Sequence, residues 1–340
     1  MKKQKKRINI KYVAETANVS TATVSRVLNQ TGYVKKETRD YVRKIIDDLG
    51  YRSNSIAKSL RSHKSQYVAL IIPDIENEYF AILSRYIERF LQISGYGVFI
   101  SSIEQSLSKA LWYANIYVDH FVAGAILLTD YDEVTQIFTK ANIPVVVADR
   151  LEDKKTRPHV SFIGSDNESG GFLAAQNLIN YGAKRLMFLR DEQNLTNVNE
   201  REKGFIKAIR ETKNREIEVK VVPHGIDRTE IYNNIYSIYK DWEFDGLFCS
   251  SDYIAITAMS GLMKHDVAVP SDVQIIGYDG VPSTRYLAPT LATITQSLKQ
   301  MSEKIAQVIQ KMIEDEGYHI DLMMPVKLQK GDTLRGSGVK

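Results

Sequence analysis

The sequence predicts an α/β protein: a small helical head, then a core of two lobes, each a doubly wound parallel sheet. Three observations carry this. Residues 10–50 hold three short amphipathic helical patterns. From residue 66 onward, short apolar β-rich runs alternate with helix-length amphipathic segments, the signature of βαβ units. About 270 residues of that alternation suit two lobes better than one.

Charge divides at the same place. Residues 1–64 hold 16 Lys/Arg against 5 Asp/Glu, a net +11, while the remaining 276 hold 29 against 36, a net −7. A small basic head on an acidic body is the footprint of nucleic-acid binding. A basic solubility tail would lack the apolar periodicity seen here. No apolar run approaches the ~18 residues of a membrane span. The start, MKKQKKR, is followed by no apolar stretch of a signal peptide, so a cytoplasmic location is expected. The single Cys249 excludes an internal disulfide framework and lies in an apolar run, as a small buried residue would.

In the first helical pattern Val13 and Ala17 stand four apart. Asn18-Val19-Ser20 then breaks it, and Ser20 suits the N-cap of the next helix. On that second helix Val24, Val27 and Leu28 cluster as a core stripe. Thr21, Ala22, Ser25, Arg26 and Asn29 gather on the opposite arc, with Thr23 between. In the third, Val42, Ile45, Ile46 and Leu49 repeat at i, i+3, i+4, i+7. This is a helix-turn-helix unit. The small outward residues let the second helix sink into a major groove about 12 Å wide. Thr21 and Ala22 stand where such helices reach base edges, Arg26 can donate two hydrogen bonds to guanine, and Thr23 and Ser25 suit phosphates. In the following segment, YRSNSIAKSLR, Ile56 and Leu60 are four apart on a polar background. A helix this short is marginal alone, so it is expected to order on binding, with Leu60 as a wedge for a minor-groove base step.

The body's strand-like runs are YVALIIPD, GYGVFIS, AGAILLTD, IPVVVAD, VSFIGSD, RLMFLRD, FDGLFCSSD and VQIIGYDG. Most close on aspartate, and six of these aspartates are singled out: Asp74, Asp149, Asp166, Asp191, Asp252 and Asp279. Ligands of open α/β sheets sit outside the carboxyl ends of the strands. Carboxylates there suit a polyhydroxylated ligand, because each accepts hydrogen bonds from hydroxyls. Any single one can instead cap the next helix, and Asp166 and Asp252 are the expected caps.

The run IKYVAETANVSTATVSRVLN, with VKKETRDYVRKIIDDLGYRSNSIAKSLRS after it, resembles the DNA-binding domain and hinge of the lac-repressor/galactose-repressor family of bacterial transcription regulators. The body resembles that family's effector-binding core, similar in fold to periplasmic sugar-binding proteins. The resemblance implies residues 1–51 as the DNA-binding domain and 52–65 as hinge helix and linker. Residues 66–340 form the core, with lobes of approximately 66–161 plus 292–322, and 162–291 plus 323–340. It carries base readout onto Thr21, Ala22 and Arg26, with Thr23, Ser25 and Asn29 also at the DNA. In the hinge it carries DNA contact onto Ala57 and Lys58 and minor-groove insertion onto Leu60. Tyr79 and Phe80 match positions that pack a ligand ring. Asp149, Arg201, Ser251 and Asp279 match polar ligand contacts, although Ser251 stands where Asn or Asp is common. Ser53 replaces the usual hinge proline, and Lys35 a small cap before the third helix.

The resemblance further implies a homodimer on a pseudo-palindromic operator and a sugar or sugar-phosphate effector. No cofactor or metal is implied, and no coiled-coil tail follows VKLQKGDTLRGSGVK. Phrases such as GYDG look like sucrose-operon repressors. A purine-like effector or a protein corepressor is the alternative. An enzyme on the same body is the rival class, but no P-loop, G-x-G-x-x-G, H-E-x-x-H or G-x-S-x-G appears and six histidines lie scattered. A transport-type sugar-binding protein would need neither the basic head nor salt-sensitive binding to duplex DNA.

Overall fold

The computed structural model describes residues 9–51, 65–129, 131–149, 158–193, 195–212, 216–225 and 227–336, with the backbone alone at Asn29. The expected hinge contacts Ala57, Lys58 and Leu60 lie outside the described residues. The chain forms two compact units, Met1–Ser65 and Gln66–Lys340.

In the first unit, α1 (Ile10–Thr16), α2 (Thr21–Asn29) and α3 (Lys36–Asp48) enclose a core of Val13, Ala14, Ala17, Val24, Val27, Val42 and Ile46. The turn between α1 and α2 is tight because Asn18 takes φ 49, a left-handed value that a short polar side chain tolerates. Ser20 caps α2 as expected, its Oγ accepting from the Thr23 N–H at 3.1 Å. Lys35 precedes α3 with no side-chain cap bond.

The second unit holds two six-stranded sheets. The first is built from β1 (Tyr67–Ile72), β2 (Gly97–Ser102), β3 (Gly124–Leu127), β4 (Val145–Ala148), β5 (Val160–Ser165) and β11 (Asp321–Met324), in the order β11-β5-β4-β3-β1-β2. The second is built from β6 (Arg185–Asp191), β7 (Glu218–His224), β8 (Gly246–Cys249), β9 (Gln274–Asp279), β10 (Ala292–Thr295) and β12 (Lys327–Gln329), in the order β12-β10-β9-β8-β6-β7. Every pairing is parallel except β10 with β12. Central strands such as β3, β4 and β8 are buried along their whole length, which is why their sequences read as unbroken apolar runs. Helices α4 (Glu78–Ile93), α5 (Leu107–Asp119) and α6 (Asp132–Lys140) connect strands of the first sheet. Helices α7 (Asn167–Asn180), α8 (Thr196–Glu211), α9 (Arg228–Asp241) and α10 (Asp252–Met263) serve the second sheet.

The chain passes between the sheets after Ser165, after Thr295 and after Met324. These crossings lie a few residues beyond the expected 161/162 and 291/292, because β5 stays in the first sheet through Ser165, paired with β4 and then β11, and β10 pairs along its whole length with β9. Helix α11 (Leu298–Glu314), which follows β10, packs Met301, Ile305 and Ile309 into the first lobe's core against Leu70 and Ile126. Cys249 is fully buried at the end of β8. No helix of the described residues is long and apolar enough to cross a membrane.

Candidate functional site

In the head, Val24 and Val27 turn inward and leave Thr21, Ala22 and Arg26 exposed on the other face of α2. Ser25 and Thr23 are half-buried. The Thr23 hydroxyl lies 2.9 Å from Ser20 Oγ, so it is engaged in the cap as well as facing outward. The Arg26 stem passes beside Gly32, where a Cβ would stand 3.5 Å from Arg26 Cδ. The exposed arc is therefore short-chained at the N-terminus of α2 and carries one cation a turn later. That shape suits a groove of duplex DNA, with backbone and small side chains close to the base edges.

The second unit has a cleft at the carboxyl ends of both sheets' strands, with a cavity that opens partly to solvent. All six expected ligand-contact residues line it: Tyr79, Phe80, Asp149, Arg201, Ser251 and Asp279. Four of the six strand-end aspartates, Asp74, Asp149, Asp191 and Asp279, line it too. The other two do not. Asp166 caps α7, accepting from the Ser169 N–H at 2.9 Å, as expected. Asp252, however, is no cap. Ser251 caps α10 by accepting from the Ile254 N–H, and Asp252 occupies the helix's first position, wholly buried. The competition went to Ser251 because its extended backbone lets the hydroxyl reach forward to the Ile254 N–H, whereas Asp252 turns toward the end of β9.

Arg201 organises the floor of the cleft. It is 3% exposed. Its Nε donates to Asn167 Oδ1 at 2.9 Å, one terminal nitrogen donates to the Ser250 carbonyl at 2.5 Å, and the guanidinium lies 3.6 Å over the Tyr278 ring. Asp279 Oδ1 accepts from Gln296 Nε2 at 2.8 Å, and Asp149 Oδ2 accepts from Asn197 Nδ2 at 3.0 Å. Asp149 Oδ1 is buried with no hydrogen bond of good geometry, although the Tyr79 hydroxyl stands near the carboxyl and favours its ionised form. Gln296 sits on a lobe crossing and also accepts from Ser165 Oγ at 2.6 Å. Across the cleft Gln193 donates to Gln105, and the Tyr131 hydroxyl donates to the Gln105 carbonyl at 2.5 Å.

Burial raises Asp149 above the ordinary carboxylate range and Asp279 well above it, with Arg201 opposing both. Burial also disfavours the Arg201 cation, yet Tyr278, Asp279 and Asp149 around it raise its pKa. Two buried carboxylates thus face one buried cation, with acceptor capacity unmet at Asp149. Such a floor calls for hydrogen-bond donors from a ligand. The phenyl face of Phe80, half-exposed and edge-on to Tyr79 at 5.1 Å, adds an apolar wall. Asn167, Asn197, Gln105, Gln193 and Gln296 escape sequence reasoning, since lone amides in polar segments carry no periodic or motif signal.

Comparison with known proteins gives the following. The family of bacterial regulatory proteins of the lacI type matches residues 9–54, and a periplasmic binding protein-like domain matches residues 175–334. A ribose operon repressor of Lactococcus lactis subsp. lactis is 33% identical over 96% of this chain and 98% of its own. The PurR transcriptional repressor of Pasteurella multocida is 30% identical over 90% of this chain and 92% of its own. Among solved structures, the lac repressor dimer bound to operator aligns with TM-score 0.84 at 20% identity, over 96% of this chain and 99% of that one, which bears on the fold. A periplasmic binding protein/LacI regulator of Alkaliphilus metalliredigens complexed with D-xylulofuranose aligns with TM-score 0.71 at 27% identity, over 79% of this chain and 99% of that one.

Proposed function

The chain belongs to the lacI family of bacterial regulatory proteins, and on that premise we propose that it is a dimeric operator-binding repressor whose effector is an unphosphorylated pentose of the ribose type. Residues 1–51 read the operator, residues 52–65 link, and residues 66–340 bind effector and dimerise. Thr21, Ala22 and Arg26 contact base edges, while Thr23 and Ser25 contact phosphates. It works in the cytoplasm, where its DNA is, and its core binds rather than catalyses, in keeping with relatives that are named as repressors.

The observation that carries the effector reading is the buried Asp149 Oδ1, without a hydrogen bond of good geometry, beside Asp279 and Arg201. Ring hydroxyls supply the donors this floor lacks, and Arg201 donates to hydroxyl or ring oxygens. A phosphate dianion would find one guanidinium, already shared with Asp149 and Asp279, so that much of its buried charge would go unpaired, which disfavours a sugar phosphate. A purine base offers only a few N–H donors, all in its ring plane, whereas a pentose brings several hydroxyls pointing in different directions to meet the carboxylates. The sucrose likeness of phrases such as GYDG finds no echo among the relatives above, whose names refer to ribose and to PurR.

Calorimetry with D-ribose, D-xylulose, ribose 5-phosphate, sucrose and hypoxanthine tests this. Ribose should bind tightest, and the phosphate ester at least tenfold more weakly, about 1.4 kcal/mol. Tight hypoxanthine binding with no pentose binding would overturn the reading.

A further inference from the structure

Asp252 lies beneath the cleft and outside its lining, and its carboxylate is tied to the turn that carries Asp279. Oδ2 accepts from the Gly280 N–H at 2.7 Å and from the Val281 N–H at 2.9 Å. Asp279 has φ 118 and Gly280 φ 75, so two consecutive residues leave the ordinary backbone regions. For aspartate such a conformation persists only where the surroundings hold it. Successive N–H groups in a turn of this kind form a small anion-binding concavity, and here the anion is supplied from inside the protein. Gly277 is glycine because a Cβ there would collide with Asp252 Oδ1, so the backbone leaves room for the carboxylate. Oδ1 itself is buried with no hydrogen-bond partner.

We infer that Asp252 is a positioning residue for the effector cleft: its carboxylate holds the Asp279–Gly280–Val281 turn so that Asp279 faces the ligand, and its charge acts on the Asp279 carboxylate. This rests on the pentose reading only in the identity of the ligand. The groups facing Asp252 are Asp279, Glu78, Cys249 and the Thr293 hydroxyl. Those facing Asp279 are Arg201, Asp252, Asp149, Tyr79, Tyr278 and the Gln296 amide. Burial pushes Asp252 up to about 7. For Asp279, burial comes first, Arg201 opposes it, and the charges of Asp252 and Asp149 add to it. Neutralising Asp252 while keeping its shape therefore makes Asp279 easier to ionise.

Asp252→Asn keeps an oxygen for the two N–H donors and removes the charge. Asp252→Ala removes the anchor. Carboxyl-carbon NMR titration of ligand-free protein should show Asp279 ionising at lower pH in Asp252→Asn than in wild type. D-ribose affinity measured against pH should shift its acidic limb the same way. Asp252→Ala should bind D-ribose about tenfold or more weakly. A merely structural side chain would leave the Asp279 titration where it is in Asp252→Asn, and that result overturns the inference even if Asp252→Ala fails to fold. If wild type binds no D-ribose, the pentose reading falls, and the ligand-free titration still decides the role of Asp252.

Discussion

Gly171→Ala is a small change with a consequence that can be worked from the coordinates. Gly171 on α7 faces the backbone of Arg201 on α8, and a Cβ there would sit on the Arg201 carbonyl oxygen, 2.7 Å from its carbonyl carbon and 3.0 Å from its Cα. Gly204 on α8 meets the Glu168 carbonyl of α7 in the same way, so two glycines set this helix crossing. Alanine favours an isolated helix over glycine by about 1 kcal/mol. Against that, overpacking costs about 1–3 kcal/mol, and here the obstruction is backbone, which cannot rotate aside. The clash should win. A Cβ 1.8 Å from that oxygen reaches ordinary contact only if the helices part by more than about 1.5 Å, and Arg201 moves with them. Its hydrogen bonds to Asn167 and Ser250 then lengthen, and a charge-assisted contact to ligand worth about 1.5–3 kcal/mol is lost, roughly ten- to a hundredfold in affinity. Thermal unfolding should show a lower core midpoint, and calorimetry weaker D-ribose binding. A raised midpoint with unchanged affinity would mean that propensity decides and that the close crossing does not position Arg201.

Arg26→Ala should cost about 1–3 kcal/mol on the preferred operator and relax preference at one base per half-site, measured by binding to a panel of single-base operator variants; unchanged specificity would move the reading helix elsewhere. Asp279→Ala should abolish the effector response in a DNA-release assay while effector-free operator binding stays near wild type, because the cleft and the reading helix belong to separate compact units. The pH dependence has a definite sign. Burial raises Asp149, Asp252 and Asp279, so the folded core holds protons that the unfolded chain has released, and these groups cost stability as pH rises toward their raised values. The effector-free core should therefore melt higher as pH falls from about 8 toward about 5, and a steady drop over that window would contradict the buried carboxylates.

The parts of this molecule legible in the sequence are those fixed by local pattern. Ser20 announces the N-terminus of α2, and strands such as Gly124–Leu127 and Val145–Ala148 read as apolar runs because they are buried throughout. β7 escaped because it is an edge strand, largely exposed, whose EVKVVPH sequence mixes charge with Val. β10, β11 and β12 escaped because their three or four residues, ATIT, DLMM and KLQ, are mixed with polar side chains and lack the unbroken apolar run that marks equally short strands such as β3 and β4. At the site, Asp149 and Asp279 were visible as carboxylates at strand ends. Asn167, Asn197 and Gln296 were not, since only the fold brings them within reach of Arg201 and the aspartates. The Gly171–Gly204 crossing is invisible for the same reason: each glycine has meaning only against the other helix.

The central claim is that a pentose in the cleft governs the grip of the helical head on DNA. It is tested most directly by measuring operator affinity with and without saturating D-ribose, using an operator selected in vitro from random DNA, and ribose affinity with and without that operator. Coupling between such sites is typically about 1–3 kcal/mol, roughly 5–150-fold, and must be reciprocal. The account predicts that ribose changes operator affinity by a factor in that range and that the operator changes ribose affinity by the same factor. Tight ribose binding with no change in operator affinity, or an equal effect from hypoxanthine, would contradict it.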